Sequence, residues 1–224
     1  MIIFLFSLVL VIFITNFILK KYQLLLNNTG LNHQSFTSFN KIPLSGGILI
    51  LYFFYYNFKI IEFNLLIYLT AFFLLGLAGD TNIIRSPTRR FFLQVIFLII
   101  LIIDLELNIY DIRISFFNIL LENFYFNVFF VSFCFLVLIN GSNFIDGNNG
   151  LSLGYFCIIF YLIFELVNNQ TIYYEKDIIF RFLILINVIL IFNILNKLYL
   201  GDNGIYLLSV YSGYLLVDIY IKNP

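Results

Sequence analysis

The chain has 224 residues, of which 62% are hydrophobic, 21% aromatic and 11% charged, and its mean hydropathy is +1.01. This composition excludes an ordinary soluble globular domain and predicts an integral membrane protein. The chain has 12 basic residues (lysine and arginine) and 12 acidic residues (aspartate and glutamate), so its formal net charge is zero. This charge gives no reason to expect a nucleic acid as partner. We therefore expect its partners to be membrane lipids and the molecules that its loops bind.

Eight apolar segments are candidates for membrane-spanning helices, each of which needs about 20 apolar residues. In chain order they cover approximately residues 1–19, 44–58, 62–78, 91–105, 117–139, 151–167, 178–196 and 205–221. The fifth segment carries Glu122 and Asn123 near its start, so it begins later or is broken there. No repeat or change of composition divides the chain. We predict a single all-α transmembrane domain over residues 1–224, with about eight transmembrane helices.

The basic residues favour one orientation of these helices. Counting the crossings places the loops 20–43, 79–90, 140–150 and 197–204 on one side, with seven of the twelve lysines and arginines. Because basic residues are enriched in cytoplasmic loops, this side is predicted to be cytoplasmic.

Three aspartates mark the same side, and each lies beside a glycine. They are Asp80 in GLAGDT, Asp146 in NFIDGNNG and Asp202 in LGDNG. A carboxylate at a membrane boundary is costly to desolvate and therefore indicates function, although a solvated turn that only joins two helices is the alternative. Oxygen ligands without a nearby thiolate or histidine cluster favour Mg²⁺ or Mn²⁺, bound together with substrate phosphate.

The three arginines that follow Asp80 have two interpretations. Arg85, Arg89 and Arg90 can bind anionic groups, but they also fit the basic flank of a membrane span. The pattern alone leaves both interpretations open.

Two further features are less specific. Gly46 and Gly47, in KIPLSGGILI, allow close approach of either a neighbouring helix or a substrate, and glycine is common in membrane helices. His33 is the only histidine and lies in a polar loop, so we interpret it as an exposed bystander.

Four polar motifs follow one another on the predicted cytoplasmic loops. They are PLSGG at 43–47, GLAGD followed by SPTRRFFLQ within 76–94, NGSNFIDGNNGL at 140–151 and YLGDNG at 199–204. In their order along the chain and in their predicted side of the membrane, they resemble the motifs of the polyprenyl-phosphate N-acetylhexosamine-1-phosphate transferases, glycosyltransferase family 4. SPTRRFFLQ is similar to the corresponding motif of the bacterial branch whose members initiate the synthesis of surface polysaccharides.

The resemblance implies an activity. Such an enzyme transfers a sugar 1-phosphate, here N-acetylhexosamine 1-phosphate, from a UDP-sugar to undecaprenyl phosphate and releases UMP, as the first membrane step of cell-surface polysaccharide synthesis. It further implies Mg²⁺ as cofactor, with Mn²⁺ as a substitute, and a bacterial inner-membrane protein whose active site faces the cytoplasm. The oligomeric state stays open.

The resemblance also assigns the metal and the chemistry to particular residues. By position, Asn143 and Asp202 match the residues that hold Mg²⁺ on the donor pyrophosphate. Asp80 matches the second aspartate of an acidic pair, which orients or deprotonates the acceptor phosphate. Asp146 matches the aspartate of the family's D-G motif and is counted with Asp80 and Asp202 as catalytic.

Substrate binding is implied for five more residues. Tyr199 occupies the aromatic position that stacks on uracil, Asn149 the position that contacts the nucleotide, and Arg90 the basic position near the phosphates. Gly46 and Gly47 match the two glycines of the first motif and are counted with the substrate-binding residues.

The sequence departs from the family pattern at several places. Asn149 replaces an acidic residue, which need not abolish activity, and Ile205 replaces a serine. Gly79 stands where the first aspartate of the acidic pair is usual, and the chain ends at Pro224, whereas relatives continue through further spans. These last two departures support an alternative, a degenerate, non-catalytic relative that acts as a membrane binding or assembly partner. An unrelated transporter is disfavoured by the order of the motifs.

Overall fold

The computed structural model of the chain describes residues 2–27, 41–147, 149–169 and 176–222. Over these residues the chain is all-helical, which confirms the predicted fold class. The helices are α1 (Ile2–Lys21), α2 (Gly46–Tyr56), α3 (Phe63–Asp80), α4 (Pro87–Asp104), α5 (Ser115–Leu121), α6 (Phe124–Ile145), α7 (Leu151–Asn169), α8 (Lys176–Ile194) and α9 (Gly201–Lys222). His33 lies outside the described residues.

Five of these helices, α3, α6, α7, α8 and α9, are long and apolar enough to cross a membrane. Helix α2 is apolar but has only 11 residues, and α4 contains Arg89, Arg90 and Asp104 within its 18 residues. The chain is thus a multi-pass membrane protein, as predicted. The predicted number of eight spans is not confirmed within the described part of the chain.

The fifth apolar segment is broken at its two polar residues. Helix α5 ends at Leu121 and α6 begins at Phe124. Between them, Oδ1 of Asn123 accepts hydrogen bonds from the N–H groups of Tyr125 (3.0 Å) and Phe126 (3.1 Å). Such an N-cap satisfies donors that have no acceptor within the helix, so Asn123 starts α6 as a separate helix.

Helix α9 forms the centre of the bundle. Of its membrane-crossing window 78% is buried, against 33–39% for the other four candidate spans, and it contacts α2, α3, α6 and α7. Small residues allow this packing: a Cβ atom on Gly213 would lie 2.8 Å from Cε1 of Phe135. Between membrane helices, close packing at small residues is a main source of association. Helix α9 therefore carries its first residues into the middle of one end of the bundle.

The first and last polar motifs meet at that end. Helix α3 ends there at Asp80, and α9 starts there at Gly201. The N–H of Tyr199 donates to the carbonyl of Pro43 (2.8 Å), and the N–H of Gly46 donates to the carbonyl of Tyr199 (3.0 Å). These backbone hydrogen bonds join the loop before α2 to the loop before α9.

Candidate active site

The start of α9 is held by the carboxylate of Asp80. Its Oδ1 accepts a hydrogen bond from the N–H of Asp202 (2.9 Å), and its Oδ2 accepts from the N–H of Asn203 (3.1 Å) and from the Asn203 side chain. These N–H groups lie in the first turn of α9, where they lack acceptors within the helix and where the helix dipole favours a negative charge. Asp80 therefore caps α9 from another helix and fixes the backbone of Asp202.

Three glycines allow other segments to approach the same place. Cβ atoms on Gly76, Gly47 and Gly46 would lie 2.5, 2.6 and 2.8 Å from backbone atoms of residues 200–204. Of the two alternatives for Gly46 and Gly47, the structure contains the close approach of protein: Gly47 lies against α9, Gly46 lies against Leu200 just before α9, and both glycines are buried. Substrate binding by them stays a prediction. The helix-start cluster, as we call it, consists of Gly46, Gly47, Gly76, Asp80, Asp202 and Asn203.

Arg90 reaches this cluster from the first turn of α4. Its Nη1 atom forms an ion pair with Oδ2 of Asp202. Gly79 makes room for the pair, because a Cβ atom there would lie 2.6 Å from Nη1 of Arg90 and 3.0 Å from Oδ2 of Asp202. Arg85 and Arg89 are exposed, so Arg90 is the arginine of the three that lies in the site.

Asp146 lies at the end of α6 and is linked to the start of α7. The hydroxyl of Ser152 donates a hydrogen bond to its Oδ1. Burial raises the pKa of the Asp146 carboxyl to about 7; the hydrogen bond from Ser152 lowers this pKa, and the negative charges of Asp202 and Asp80 raise it. The three predicted aspartates are therefore close enough to influence one another electrostatically.

Side-chain amides join the loops that carry Asn149 and Tyr199. Oδ1 of Asn196 accepts hydrogen bonds from Nδ2 of Asn149 (2.6 Å) and from the hydroxyl of Tyr199 (3.1 Å). Close by in sequence, Oδ1 of Asn193 accepts a hydrogen bond from the N–H of Gly150 (2.7 Å). The asparagine cluster, as we call it, consists of Asn149, Asn193, Asn196 and Tyr199. Because Asn149 and Asn196 are exposed, the cluster leaves polar groups accessible to a ligand.

The two predicted metal ligands are oxygen donors at the ends of two helices. Asp202 lies in the first turn of α9, and Asn143 lies half-buried in the last turn of α6. Among the described residues, no three Asp, Glu, His or Cys side chains are grouped as a ready metal site. Mg²⁺ usually binds through one or two carboxylates together with waters and substrate phosphates. The donor chemistry therefore fits Mg²⁺ that binds with a phosphate substrate.

Three residues of the site were not predicted from the sequence. Asn203 donates from its side chain to Asp80, Ser152 donates to Asp146, and Asn196 accepts from Asn149 and Tyr199. For Asn196 a signal existed in the sequence, because asparagine just after an apolar helical segment often ends the helix in a left-handed conformation, and Asn196 has a φ of 55°. Asparagine adopts this left-handed conformation more readily than most residues.

The chain matches the model of a known protein family. The family model described as glycosyl transferase family 4 matches residues 63–220. The match covers more than half of the chain and includes every polar motif except PLSGG. No curated protein matches the chain significantly.

Proposed function

Because the chain belongs to glycosyl transferase family 4, we propose that it transfers a sugar 1-phosphate from a UDP-sugar to undecaprenyl phosphate and releases UMP. The group that we propose to be transferred is N-acetylhexosamine 1-phosphate. We further propose that this transfer is the first membrane step of cell-surface polysaccharide synthesis. The supporting observation is the convergence of Asp80, Arg90, Asp146 and Asp202, from three loops, at one end of an apolar bundle. A lipid acceptor can lie along the bundle while its phosphate reaches that end.

In the proposed reaction, an oxygen of the acceptor phosphate attacks the phosphorus that carries the sugar. A P–O bond forms, the bond from that phosphorus to the bridging oxygen breaks, and UMP leaves with this oxygen and its electron pair. Because both reactants are anions, catalysis depends on holding them together and on stabilising negative charge. The guanidinium of Arg90 can donate two parallel hydrogen bonds to one phosphate group.

The other polar residues would have separate roles. Asp202 and Asn143 would hold Mg²⁺ or Mn²⁺, which when bound polarises the donor phosphate as a Lewis acid. Asp80 positions Asp202, because both oxygens of Asp80 accept hydrogen bonds from the start of α9. Direct action of Asp80 on the acceptor phosphate stays a prediction, as does a catalytic role for Asp146.

The nucleotide would be bound by Tyr199 and Asn149. Stacking of the tyrosine ring on uracil and a hydrogen bond from the amide are the proposed contacts. Both side chains donate to Asn196, which supports a common place for them. We place this end of the bundle at the cytoplasmic face of a bacterial inner membrane, in agreement with the excess of basic residues there.

A transfer assay tests the proposal. Membranes that contain the chain are incubated with undecaprenyl phosphate, Mg²⁺ and radiolabelled UDP-N-acetylglucosamine or UDP-N-acetylgalactosamine, and lipid-linked product and UMP are measured. We expect Asp202→Asn to lower UMP release at least about 100-fold. Asp177→Asn, at an exposed carboxylate in the first turn of α8, should leave it unchanged. If no donor yields more UMP with the wild type than with Asp202→Asn, the proposed transfer is rejected.

The second candidate function is a non-catalytic binding or assembly role in the membrane. Gly79 favours it, because the carboxylate usual at this position is missing and its place is filled by Arg90 and Asp202. The two candidates differ in one measurement. A binding partner would retain UDP or polyprenyl phosphate in equilibrium binding and release no UMP from any donor.

A further inference from the structure

Gly79 lies directly against the ion pair between Arg90 and Asp202. The space of a Cβ atom at residue 79 is occupied by Nη1 of Arg90, 2.6 Å away, and by Oδ2 of Asp202, 3.0 Å away. A larger side chain at residue 79 would displace the tip of Arg90, the flexible end of a long side chain. The present position of the guanidinium against Asp202 therefore requires the space that glycine leaves at position 79.

The guanidinium is only partly satisfied in this ion pair. Nη1 of Arg90 contacts Asp202, but the Nε atom is buried and has no hydrogen-bond acceptor within the described residues. A buried donor without an acceptor is unfavourable, and arginine binds carboxylate or phosphate best through two parallel hydrogen bonds. Arg90 can therefore leave Asp202 for a ligand that offers more oxygen atoms, such as a phosphate group.

Asp202 is also the carboxylate predicted to bind the metal ion. The side chains of Arg90 and Asp202 are 20% and 23% exposed, so a solute can reach both. Asp80 holds the backbone of Asp202, so the carboxylate stays at the start of α9 whichever partner it has. We infer that Arg90 and a divalent cation compete for the Asp202 carboxylate, and that Gly79 is the residue that admits Arg90 to it.

The competition would couple two binding events. With a cation on Asp202, the guanidinium would be free to donate to a phosphate oxygen of the substrate; without a cation, the guanidinium would stay on the carboxylate. Each ligand thereby increases the affinity for the other. The inference rests on the proposed function for the identity of the metal ligand, but it is independent of the sugar and of the lipid.

Binding of Mn²⁺ to the purified full chain in detergent tests the competition without turnover, with the paramagnetic resonance signal of free Mn²⁺ as readout. Arg90→Gln removes the competing cation and should lower the Kd for Mn²⁺ roughly tenfold, which is about 1.4 kcal/mol. Gly79→Ala keeps every charge but displaces the guanidinium, and should lower the Kd by roughly threefold. Asp202→Asn should abolish this binding.

Two matched variants serve as controls. Arg89→Gln removes an exposed neighbouring charge, and Gly141→Ala adds a Cβ atom that meets nothing within 4 Å; both should bind Mn²⁺ like the wild type. The inference is overturned if Arg90→Gln and Gly79→Ala leave the Kd unchanged or raise it, or if Arg89→Gln lowers it equally. Wild-type binding by Asp202→Asn would also overturn it. If Arg90→Gln is not recovered as folded protein, the Kd of Gly79→Ala for Mn²⁺ decides: a lower Kd supports the competition, and an unchanged or higher Kd overturns it.

The two proposals fail separately. If no donor releases UMP but Arg90→Gln binds Mn²⁺ more tightly, the transfer reaction is rejected and the competition stands. If UMP is released but neither variant changes the Kd, the competition is rejected and the transfer reaction stands.

Discussion

The helix-start cluster and the asparagine cluster lie at the same end of the bundle but are built differently. In the helix-start cluster most of the contacts are made with backbone, since Asp80 accepts from two N–H groups of α9, and Gly47 and Gly76 touch backbone atoms of that helix. In the asparagine cluster Asn149 and Tyr199 donate to the exposed side chain of Asn196. Buried backbone contacts persist, whereas bonds between exposed side chains exchange readily for a ligand. The comparison indicates a rigid cluster and an adaptable one, which in the proposed function would support the reacting phosphates and bind the nucleotide, respectively.

The largest effect is expected from a methyl group in the helix-start cluster. In Gly76→Ala, the new Cβ atom would lie 2.5 Å from Cα of Asn203 and 2.6 Å from both N of Asn203 and O of Asp202. All three are backbone atoms, so α3 and α9 must separate. We expect a loss of about 3 kcal/mol in the free energy of unfolding, measured by thermal unfolding in detergent and by the yield of monodisperse protein.

Gly154→Ala is the control for this substitution. Gly154 lies in α7, and a Cβ atom there meets nothing within 4 Å. The change should leave the stability unaltered or raise it by about 0.5–1 kcal/mol, because alanine favours the helix over glycine. If Gly76→Ala unfolded at the same temperature as Gly154→Ala, the helix-start cluster would not be rigid.

A smaller effect is expected when the cap of α9 is weakened. Asp80→Asn keeps one acceptor oxygen but turns an amide group toward the N–H donors of α9, so at least one buried donor loses its acceptor. We expect a loss of about 2 kcal/mol in stability and a loss of UMP release, because Asp202 is no longer held. Unfolding midpoints and the transfer assay measure the two effects.

Asp104→Asn is the matched control, because Asp104 is the last residue of α4 just as Asp80 is the last residue of α3. Asp104 is exposed and accepts a hydrogen bond from the side chain of Asn64 (3.0 Å). Its replacement should change the stability by less than about 0.5 kcal/mol. Equal effects of Asp80→Asn and Asp104→Asn would show that the cap does not hold α9.

Much of the fold follows from the lengths of the apolar segments and from their polar interruptions. The break at Asn123 and the all-helical class were both predictable in this way. The central place of α9 was not, because residues that face lipid and residues that face protein are both apolar in a membrane. Its small residues, Gly204, Ser209, Ser212 and Gly213, were the available sign, and they do not say which helices would pack against them.

At the site, the residue types were predictable but their partners were not. The motifs identify Asp80, Asp202 and Arg90, yet the hydrogen bonds of Asp80 depend on the approach of α3 to α9, which Gly76 permits. Such long-range contacts have no local pattern in the sequence. The pairing of Arg90 with Asp202 depends in the same way on the missing side chain of Gly79.

The smallest effect on stability, and the sharpest test of the adaptable site, is expected from Asn196→Ala. The substitution removes the oxygen that accepts from both Asn149 and Tyr199. These bonds join partly or fully exposed side chains, so the stability should change by less than about 1 kcal/mol. The two donors lose their common orientation, and the KM for the UDP-sugar should rise roughly fivefold, equivalent to about 1 kcal/mol, with kcat nearly unchanged.

Asn187→Ala provides the comparison for that measurement. Asn187 is an exposed amide on α8 whose Nδ2 donates to the carbonyl of Leu183 in its own helix (2.8 Å), so KM and kcat should both stay at wild-type values. A fall in kcat at unchanged KM would place Asn196 with the reacting phosphates instead of with the nucleotide. If Asn196→Ala lowered the unfolding temperature as much as Asp80→Asn, the asparagine cluster would stabilise the fold in the same way as the helix-start cluster. The two regions would then differ in exposure only and not in function.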